Sequence, residues 1–427
     1  MASWTRVLID IRPLRESPQF RRLWAGSMLS WTGSSMTTFA VTLQVFEITR
    51  SPFAVGAIGI ARMVPMLTIG LLGGSLADAV DRRKLVLITT SCLAVVSAAM
   101  AAQAFAGLQL VWLLYGLVAV QSSLGAINSP ARQVFVPQLL PPGQLAAGLA
   151  LNRLSFQVML ITGPALAGLI TAATGLQACY LADTVSFAAA LYGIAGLPAM
   201  PPRAGTARPG PRAVAEGIGF IARSQVLAGA FLTDLNATVF GLPVALFPAI
   251  NAERFGGSPS TLGLFTAAIG VGGLVSSVLS GPVGHLSRQG LAMLVAASVW
   301  GAAFAGFALA PALWLALALL AVAGAADTFT VVFRSAIVQS VTPDRFRGRV
   351  LAADYVVGAG GGEIGNLEAG TVGSLTTPTI GALSGGLAAL AGAIVISAVM
   401  PAFAAYRRQS ADEDQRPAAE SAVVIST

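Results

Sequence analysis

The stretch GSLADAVDRRK, residues 74–84, connects two long apolar segments of the sequence through a short charged loop. The segments on either side, 54–77 and 85–107, are each close to the ~20 residues that an α-helix needs to cross about 30 Å of hydrocarbon. Three consecutive basic residues end the stretch, and such clusters collect in loops on the cytoplasmic side of a membrane. The region therefore predicts two membrane-spanning helices joined at the cytoplasmic face.

The same pattern of apolar segments and short loops continues through the whole chain. Hydrophobic residues make up 55% of the sequence and charged residues 10%, whereas soluble domains carry about 25% charged residues. This composition excludes a soluble protein, whose surface needs polar side chains. We predict an all-α integral membrane protein with twelve transmembrane helices, at residues 23–47, 54–77, 85–107, 110–129, 148–171, 178–199, 226–250, 259–284, 290–309, 312–333, 350–373 and 379–405.

The positions of the basic residues predict the orientation of these helices. If the N-terminus is cytoplasmic and the spans alternate, nearly all of the 25 Lys and Arg residues fall in cytoplasmic segments. Only Arg50 and Arg254 then lie outside, and Arg62 lies within a span. This asymmetry predicts a cell-membrane protein with both termini in the cytoplasm. The net charge of +7 thus reflects membrane orientation, and no nucleic acid partner is expected.

A stretch rich in proline and arginine, residues 201–224, divides the apolar segments into two sets of six. The pair Ser51-Pro52 opens the second segment, and the pair Ser258-Pro259 opens the eighth. Internal repeats of six spans are a transporter architecture. We therefore predict two six-helix bundles and a linker with a short amphipathic helix at 213–223. The predicted boundaries are a cytoplasmic N-terminal segment 1–22, an N-terminal bundle 23–200, a cytoplasmic linker 201–224, a C-terminal bundle 225–405 and a cytoplasmic tail 406–427.

The loop at 74–84 resembles the signature loop of the major facilitator superfamily, with the pattern Gly-x-Leu-Ala-Asp-Arg-x-Gly-Arg-Arg/Lys. Ala79 and Asp81 depart from this pattern. The resemblance implies two six-helix bundles and a conformational latch that holds them in one state. The latch residues carried over from the pattern are Gly74, Asp78, Arg82 and Arg83.

Further motifs resemble the enterobactin exporter branch of that superfamily, which is typified by siderophore export and by related macrolide and drug efflux pumps. They are Gly217-Ile218-Gly219-Phe220-Ile221, Leu262-Gly263-Leu264-Phe265, Arg347-Gly348-Arg349, Gly362-Glu363-Ile364-Gly365 and Thr377-Pro378. The likeness covers most of the chain. It implies a secondary active transporter that exports a small organic molecule, without identifying the substrate.

The fifth predicted span contains Gly163, Pro164 and Gly168, which resemble the Gly-Pro-x-x-Gly-Gly motif of superfamily antiporters. Ala167 replaces one glycine of that motif. Proline removes a backbone donor and bends a helix, and small residues let the bend pack closely. The resemblance favours export over import, although a simple packing kink would use the same residues.

Charged side chains inside spans cost at least about 2.5–3.5 kcal/mol each on insertion scales, so they face a cavity or a partner. We select Arg62, Asp234, Asp327 and Glu363 as cavity and coupling groups. A carboxyl group in a dry cavity favours its neutral form and can carry a proton. Arg62 stays charged and would hold an anionic substrate or influence a nearby acid. Asp183 is expected near the outer, solvated end of its span.

These residues favour proton antiport by alternating access, with a small-molecule substrate, protons and membrane lipids as partners and a monomeric protein. No metal-ligand cluster, cofactor motif or nucleophile–base pair occurs in the spans, so neither metal, cofactor nor enzymatic activity is expected. The only histidine, His285, is a poor candidate for a proton relay. An importer of the same fold and a non-transporting membrane sensor remain the alternatives.

We predict that a reporter active only in the cytoplasm works when it is fused after Arg212, because the linker is cytoplasmic in this topology. The check is to compare it with a reporter active only outside the cytoplasm at the same site. Activity of the second reporter would show that the predicted orientation is wrong.

Overall fold

The computed structural model describes residues 10–201, 211–283 and 286–407, and this part of the chain is almost entirely α-helical. Side chains at 71–79, including those of the latch residues Gly74 and Asp78, lie outside the described residues. His285 also lies outside them. The helices are α1 (Arg12–Glu16), α2 (Pro18–Thr49), α3 (Pro52–Ala79), α4 (Arg82–Phe105), α5 (Val111–Gln133), α6 (Phe135–Leu139), α7 (Pro142–Thr174), α8 (Gln177–Ala195), α9 (Pro211–Arg223), α10 (Gln225–Phe240), α11 (Phe247–Arg254), α12 (Pro259–Val283), α13 (Gln289–Leu309), α14 (Leu313–Val341), α15 (Asp344–Leu375), α16 (Pro378–Val399) and α17 (Pro401–Ala404).

Several helices start at a capping side chain followed by proline. Ser17, Ser51 and Thr377 each accept a hydrogen bond from the backbone N–H three residues later, and Pro18, Pro52 and Pro378 follow them. A serine or threonine cap satisfies a free N–H of the first turn, and proline has no N–H to leave unpaired there. The cap–proline pairs in the sequence therefore mark where the membrane helices begin.

Ten helical segments of the described residues are long and apolar enough to cross a membrane. Large apolar side chains such as Trp112, Val278 and Trp314 are more than two-thirds exposed on the outside of the protein, as expected for lipid contact. The two remaining long helices, α2 and α15, have 32 residues each but are richer in polar and charged side chains. The count of twelve spans therefore stays a prediction for these two helices.

The predicted span 226–250 is interrupted. Helix α10 ends at Phe240, a 3-10 turn covers Pro243–Leu246, and α11 follows. Two prolines, Pro243 and Pro248, lack the N–H that a continuous helix would need here. The amide N–H of Ala245 donates instead to the side-chain oxygen of Asn366 in α15, at 3.2 Å.

The helices pack in two groups along the chain. In the N-terminal group α2 packs on α7 and α8, α4 packs on α5 and α8, and α3 packs on α5. In the C-terminal group α12 packs on α14, α13 packs on α14 and α16, and α10 packs on α15 and α16. We call these sets the N-terminal group (α1–α8) and the C-terminal group (α10–α17).

Two antiparallel helix pairs, α3 with α15 and α7 with α12, join the groups. Both are very close: a Cβ at Gly56 would lie 2.5 Å from the carbonyl oxygen of Asn366, and a Cβ at Gly263 would lie 2.5 Å from that of Pro164. The approach continues at Gly370, where a Cβ would lie 2.5 Å from the carbonyl oxygen of Pro52. Pro52 begins α3, so these contacts lie near the end of the helices that we call the closed end. The opposite end, where α9 lies, is called the linker end.

Helix α9 packs on the beginning of α15. Glu216 forms an ion pair with Arg349 at 3.0 Å, and the rings of Phe220 and Phe346 stack with centroids 4.4 Å apart. The helix predicted at 213–223 is thus present and is attached to the C-terminal group.

We expect Gly272→Val to destabilise the protein by about 1–3 kcal/mol, because a larger residue overpacks a tight contact. A Cβ at Gly272 would lie 1.8 Å from the carbonyl oxygen of Ala321, across the contact of α12 with α14. The measurement is the apparent melting temperature of the detergent-purified protein. Gly125→Val is the control, since a Cβ there meets nothing within 4 Å. Equal melting temperatures of the two variants would contradict the packing described here.

Candidate transport site

Three helices bring one arginine and two aspartates together inside the C-terminal group. Nη1 of Arg334 (α14) lies 2.9 Å from Oδ2 of Asp234 (α10) and 3.0 Å from Oδ1 of Asp354 (α15). Asp234 is 4% exposed and Arg334 is 9% exposed. The group has two carboxylates for one guanidinium, so it carries a net negative charge when both acids are ionised. Taking up one proton would make it neutral.

Asp234 was selected from the sequence as a cavity and coupling group, and the structure places it in this buried ion pair. The sequence pattern missed Arg334, because the predicted tenth span ends at residue 333 and α14 continues to Val341. A signal was present: Arg334 follows Asp327 by seven residues, which puts both on one face of a helix.

Arg62 and Glu363 meet across the contact of α3 with α15. Nη1 of Arg62 lies 4.0 Å from Oε1 of Glu363, and both side chains are about three-quarters buried. Next to them, a Cβ at Gly59 would lie 2.6 Å from the carbonyl oxygen of Glu363. Two of the four residues selected from the sequence thus form an ion pair at the junction between the groups.

Asp327 faces a cavity of 310 Å³ between α7, α12 and α14, which we call the central cavity. Arg153, Gln157 and Thr328 also line it. Nε2 of Gln157 donates to Oγ of Ser277 at 3.3 Å, across the junction of the groups. In the described part of the chain, Asp327 has no ion-pair partner within 4.0 Å.

A second cavity of 190 Å³ lies nearer the closed end, between α2, α7 and α12. Its walls include Phe39, Phe247 and Pro164. It shares Leu160 and Thr266 with the central cavity. The two cavities therefore follow one another along the junction of the groups.

The residues of the antiporter-like motif lie where α7 meets α2 and α12. A Cβ at Gly163 would lie 2.4 Å from Oγ of Ser35, and one at Gly168 would lie 2.6 Å from the carbonyl oxygen of Pro259. Pro164 lies inside α7 and lines the second cavity. The motif thus supplies the small residues at a contact between the two groups.

The loop after α3 is attached to the N-terminal group. The amide N–H of Arg82 donates to the carbonyl oxygen of Met200 at 3.0 Å, and Nη2 of Arg83 donates to that of Ala195 at 2.6 Å. Oδ2 of Asp81 accepts from the amide of Met200 at 3.0 Å, and Oδ1 accepts from that of Lys84. Asp81, which departs from the superfamily pattern, therefore caps α4 and fixes the end of the N-terminal group.

Asp183 is wholly buried, so the expectation of a solvated position was wrong. Its carboxylate accepts hydrogen bonds from Thr37 at 2.8 Å, Ser97 at 3.0 Å and Ser34 at 3.2 Å. These hydroxyls come from α2 and α4, far from Asp183 in sequence. The spacing of Ser34 and Thr37 on one face of α2 was the available signal.

The comparisons with known proteins agree with this architecture. The chain is 24% identical to the enterobactin exporter EntS of Shigella boydii serotype 18 over 407 residues, which covers 95% of this chain and 97% of the relative. Its fold is similar to that of the D323A mutant of the nucleoside transporter NupG. The TM-score is 0.71 at 14% identity, and the match covers 89% of this chain and 99% of that one. It is also similar to a bacterial homologue of the iron transporter ferroportin in an inward-facing state, with a TM-score of 0.64 at 16% identity over 94% and 99% of the two chains.

The model of the transmembrane secretion effector family matches residues 10–425, nearly the whole chain. The protein therefore belongs to the transmembrane secretion effector family of the major facilitator superfamily and is a multi-pass membrane transporter, not an enzyme.

Proposed function

We propose that this protein exports a small organic molecule across the cell membrane by alternating access, in exchange for protons. The observation that carries the proposal is the row of cavities along the junction of the two groups. The central cavity lies on the linker side of the glycine contact at Gly263, and the second cavity lies at the level of that contact, where Pro164 lines it. A molecule could enter from the linker end and would leave after the glycine contacts separate.

The contacts at the closed end suit repeated opening. They are close approaches of glycine to backbone, and the ion pair nearest to them joins Arg62 to Glu363 at 4.0 Å. Such a contact gains dispersion energy when closed and leaves few buried charges unpaired when open. In this proposal the two groups act as two six-helix bundles that rock about the cavities.

The basic residues support placing the linker end in the cytoplasm. Arg82, Arg83, Lys84, Arg345 and Arg349 all lie near this end, where positive charge favours the cytoplasmic side. Entry from the linker end is then entry from the cytoplasm, and both termini are cytoplasmic. In this proposal the cargo moves from the linker end to the closed end, which is export.

Protons are proposed as the coupling ion because buried acidic side chains lie both at the junction and inside the C-terminal group. Asp327 faces the central cavity, Asp234 and Asp354 share one guanidinium, and Glu363 pairs with Arg62 at the contact of the groups. Uptake of a proton by any of these acids removes a charge from low-dielectric surroundings and changes its pairing. Such a change can shift the equilibrium between a state that is closed at one end of the helices and a state that is closed at the other.

For the cargo we propose a siderophore, a macrolide or another drug-like compound carried by a monomer. The support is the name of the relative from Shigella boydii, an enterobactin exporter, together with the resemblance to macrolide and drug efflux pumps.

We expect inside-out membrane vesicles that contain the protein to take up enterobactin or erythromycin when their lumen is acidified. Export from the cell corresponds to uptake in this orientation, and the proton gradient supplies the energy. The measurement is accumulation relative to vesicles that lack the protein. Uptake by right-side-out vesicles alone would identify an importer and contradict the proposal.

At least one of Asp234→Asn, Asp327→Asn and Glu363→Gln should abolish pH-driven uptake while substrate binding persists, because an amide cannot carry the coupling proton. Asp234→Asn leaves Arg334 paired with Asp354, so the guanidinium keeps a partner. The measurement is the initial rate at a fixed pH gradient and equal protein content.

The matched control is Asp344→Asn, which removes an exposed acid at the start of α15. Its rate should equal that of the wild type. If all three buried-acid variants also pump at the wild-type rate, coupling through these residues is wrong.

A further inference from the structure

A third cavity, of 410 Å³, lies inside the N-terminal group on its linker side. It is bounded by α2, α5, α6 and α7, and we call it the Arg132 cavity. It shares Phe156 with the central cavity, so a single side chain belongs to the walls of both. Its volume lies within the range of about 300–1,000 Å³ that is usual for small-molecule sites.

Arg132 lines this cavity, and in the described part of the chain it has no ion-pair partner within 4.0 Å. Its Nε and Nη2 atoms are shielded from solvent and have no hydrogen-bond partner in the described part of the chain. The described residues that line the cavity include no aspartate or glutamate. By contrast, Arg62 lies against Glu363, and Arg334 lies against two aspartates.

A partly buried arginine with no carboxylate beside it is energetically unfavourable unless another group pairs with it. A guanidinium presents a planar set of donors that matches a carboxylate better than a single charge does. Because Arg132 lines the cavity and the described lining residues include no carboxylate, we expect an anionic group to complete the Arg132 cavity.

The walls of the cavity indicate what is attached to this anionic group. The ring of Trp31 lies 6.0 Å from the guanidinium carbon of Arg132, and Phe20, Trp24 and Phe156 contribute further aromatic surface. Nε1 of Trp24 donates to the carbonyl oxygen of Leu151 at 3.3 Å, which ties this ring to α7. Aromatic rings pack favourably against a flat aromatic ligand.

We infer that the Arg132 cavity binds an organic anion that carries an aromatic ring, with Arg132 holding the anionic group and Trp31 and Phe156 contacting the ring. That this anion is the exported cargo rests on the export proposed above. The cavity is then the loading site, from which the cargo passes Phe156 into the central cavity.

The probe for this inference is 1-naphthoate, an aromatic carboxylate, and its neutral counterpart is 1-naphthamide. Binding to the full-length protein purified in detergent is measured by calorimetry. We expect 1-naphthoate to bind at least about tenfold more tightly, because one charge-assisted hydrogen bond accounts for a factor of this size. Equal affinities, or no binding of 1-naphthoate as in a site that takes only phospholipid, would overturn the inference.

Variants of the cavity test the role of Arg132. Arg132→Gln should remove the preference for the anion, and Arg132→Lys should retain part of it. Arg21→Gln is the control, because it removes an exposed charge near the same end of α2 outside the cavity. Persistence of the preference in Arg132→Gln would refute the assignment.

A second variant covers the case in which Arg132→Gln does not fold. Asn152→Asp keeps the arginine and places a carboxylate in the same cavity, where it competes with the ligand for the guanidinium. It should weaken 1-naphthoate binding about tenfold and leave 1-naphthamide unchanged. Unchanged 1-naphthoate binding in this variant would contradict the inference.

The binding experiment requires no transport, so the two proposals fail separately. If vesicles show no export but 1-naphthoate binding depends on Arg132, the anion site stands and the export proposal falls. If export proceeds and Arg132→Gln neither alters it nor changes 1-naphthoate binding, the anion site falls and export stands.

Discussion

A charged side chain in the apolar interior of a membrane protein needs a partner, and this requirement organises the interior of the transporter. Arg334 sits between Asp234 and Asp354, and Arg62 faces Glu363. Each arrangement draws its members from different helices, so the charges also determine which helices lie together. The pairing at Arg334 ties α10, α14 and α15 within the C-terminal group, whereas that of Arg62 spans the junction. Charge pairing thus occurs both inside the C-terminal group and at the junction of the two groups.

Close backbone packing provides the second source of cohesion. Lipid tails are as apolar as the side chains, so helices gain little from hydrophobic burial and associate through tight van der Waals contact. Gly56, Gly168 and Gly263 have no Cβ atom and therefore permit that contact at the junction. The polar interior of the N-terminal group is built differently, around the carboxylate of Asp183 and the hydroxyls of Thr37 and Ser97. These directional hydrogen bonds favour one arrangement of α2, α4 and α8.

The sequence predicts the fold well because its signals are local. Apolar segment length, cap–proline pairs such as Ser51-Pro52, and basic loops each depend on neighbouring residues. The signals fail where an outcome depends on distant residues. Asp183 was misplaced because its partners lie on α2 and α4, and the unpaired state of Arg132 depends on which side chains the other helices leave out of its cavity. Arg62 and Glu363 were selected individually as intramembrane charges, but only the packing of α3 on α15 reveals that they are a pair.

The attachment of α9 to α15 determines how the two groups are tethered. The chain leaves the N-terminal group at Met200, which is hydrogen-bonded to Asp81 and Arg82, and reaches the C-terminal group at Glu216. An extended chain covers about 3.3–3.6 Å per residue and a helix about 1.5 Å, and residues 211–216 are helical, so this connection can reach at most roughly 47 Å. The connection therefore limits how far the two groups can separate and keeps them at a high effective concentration, while the helix contacts at the junction hold them together.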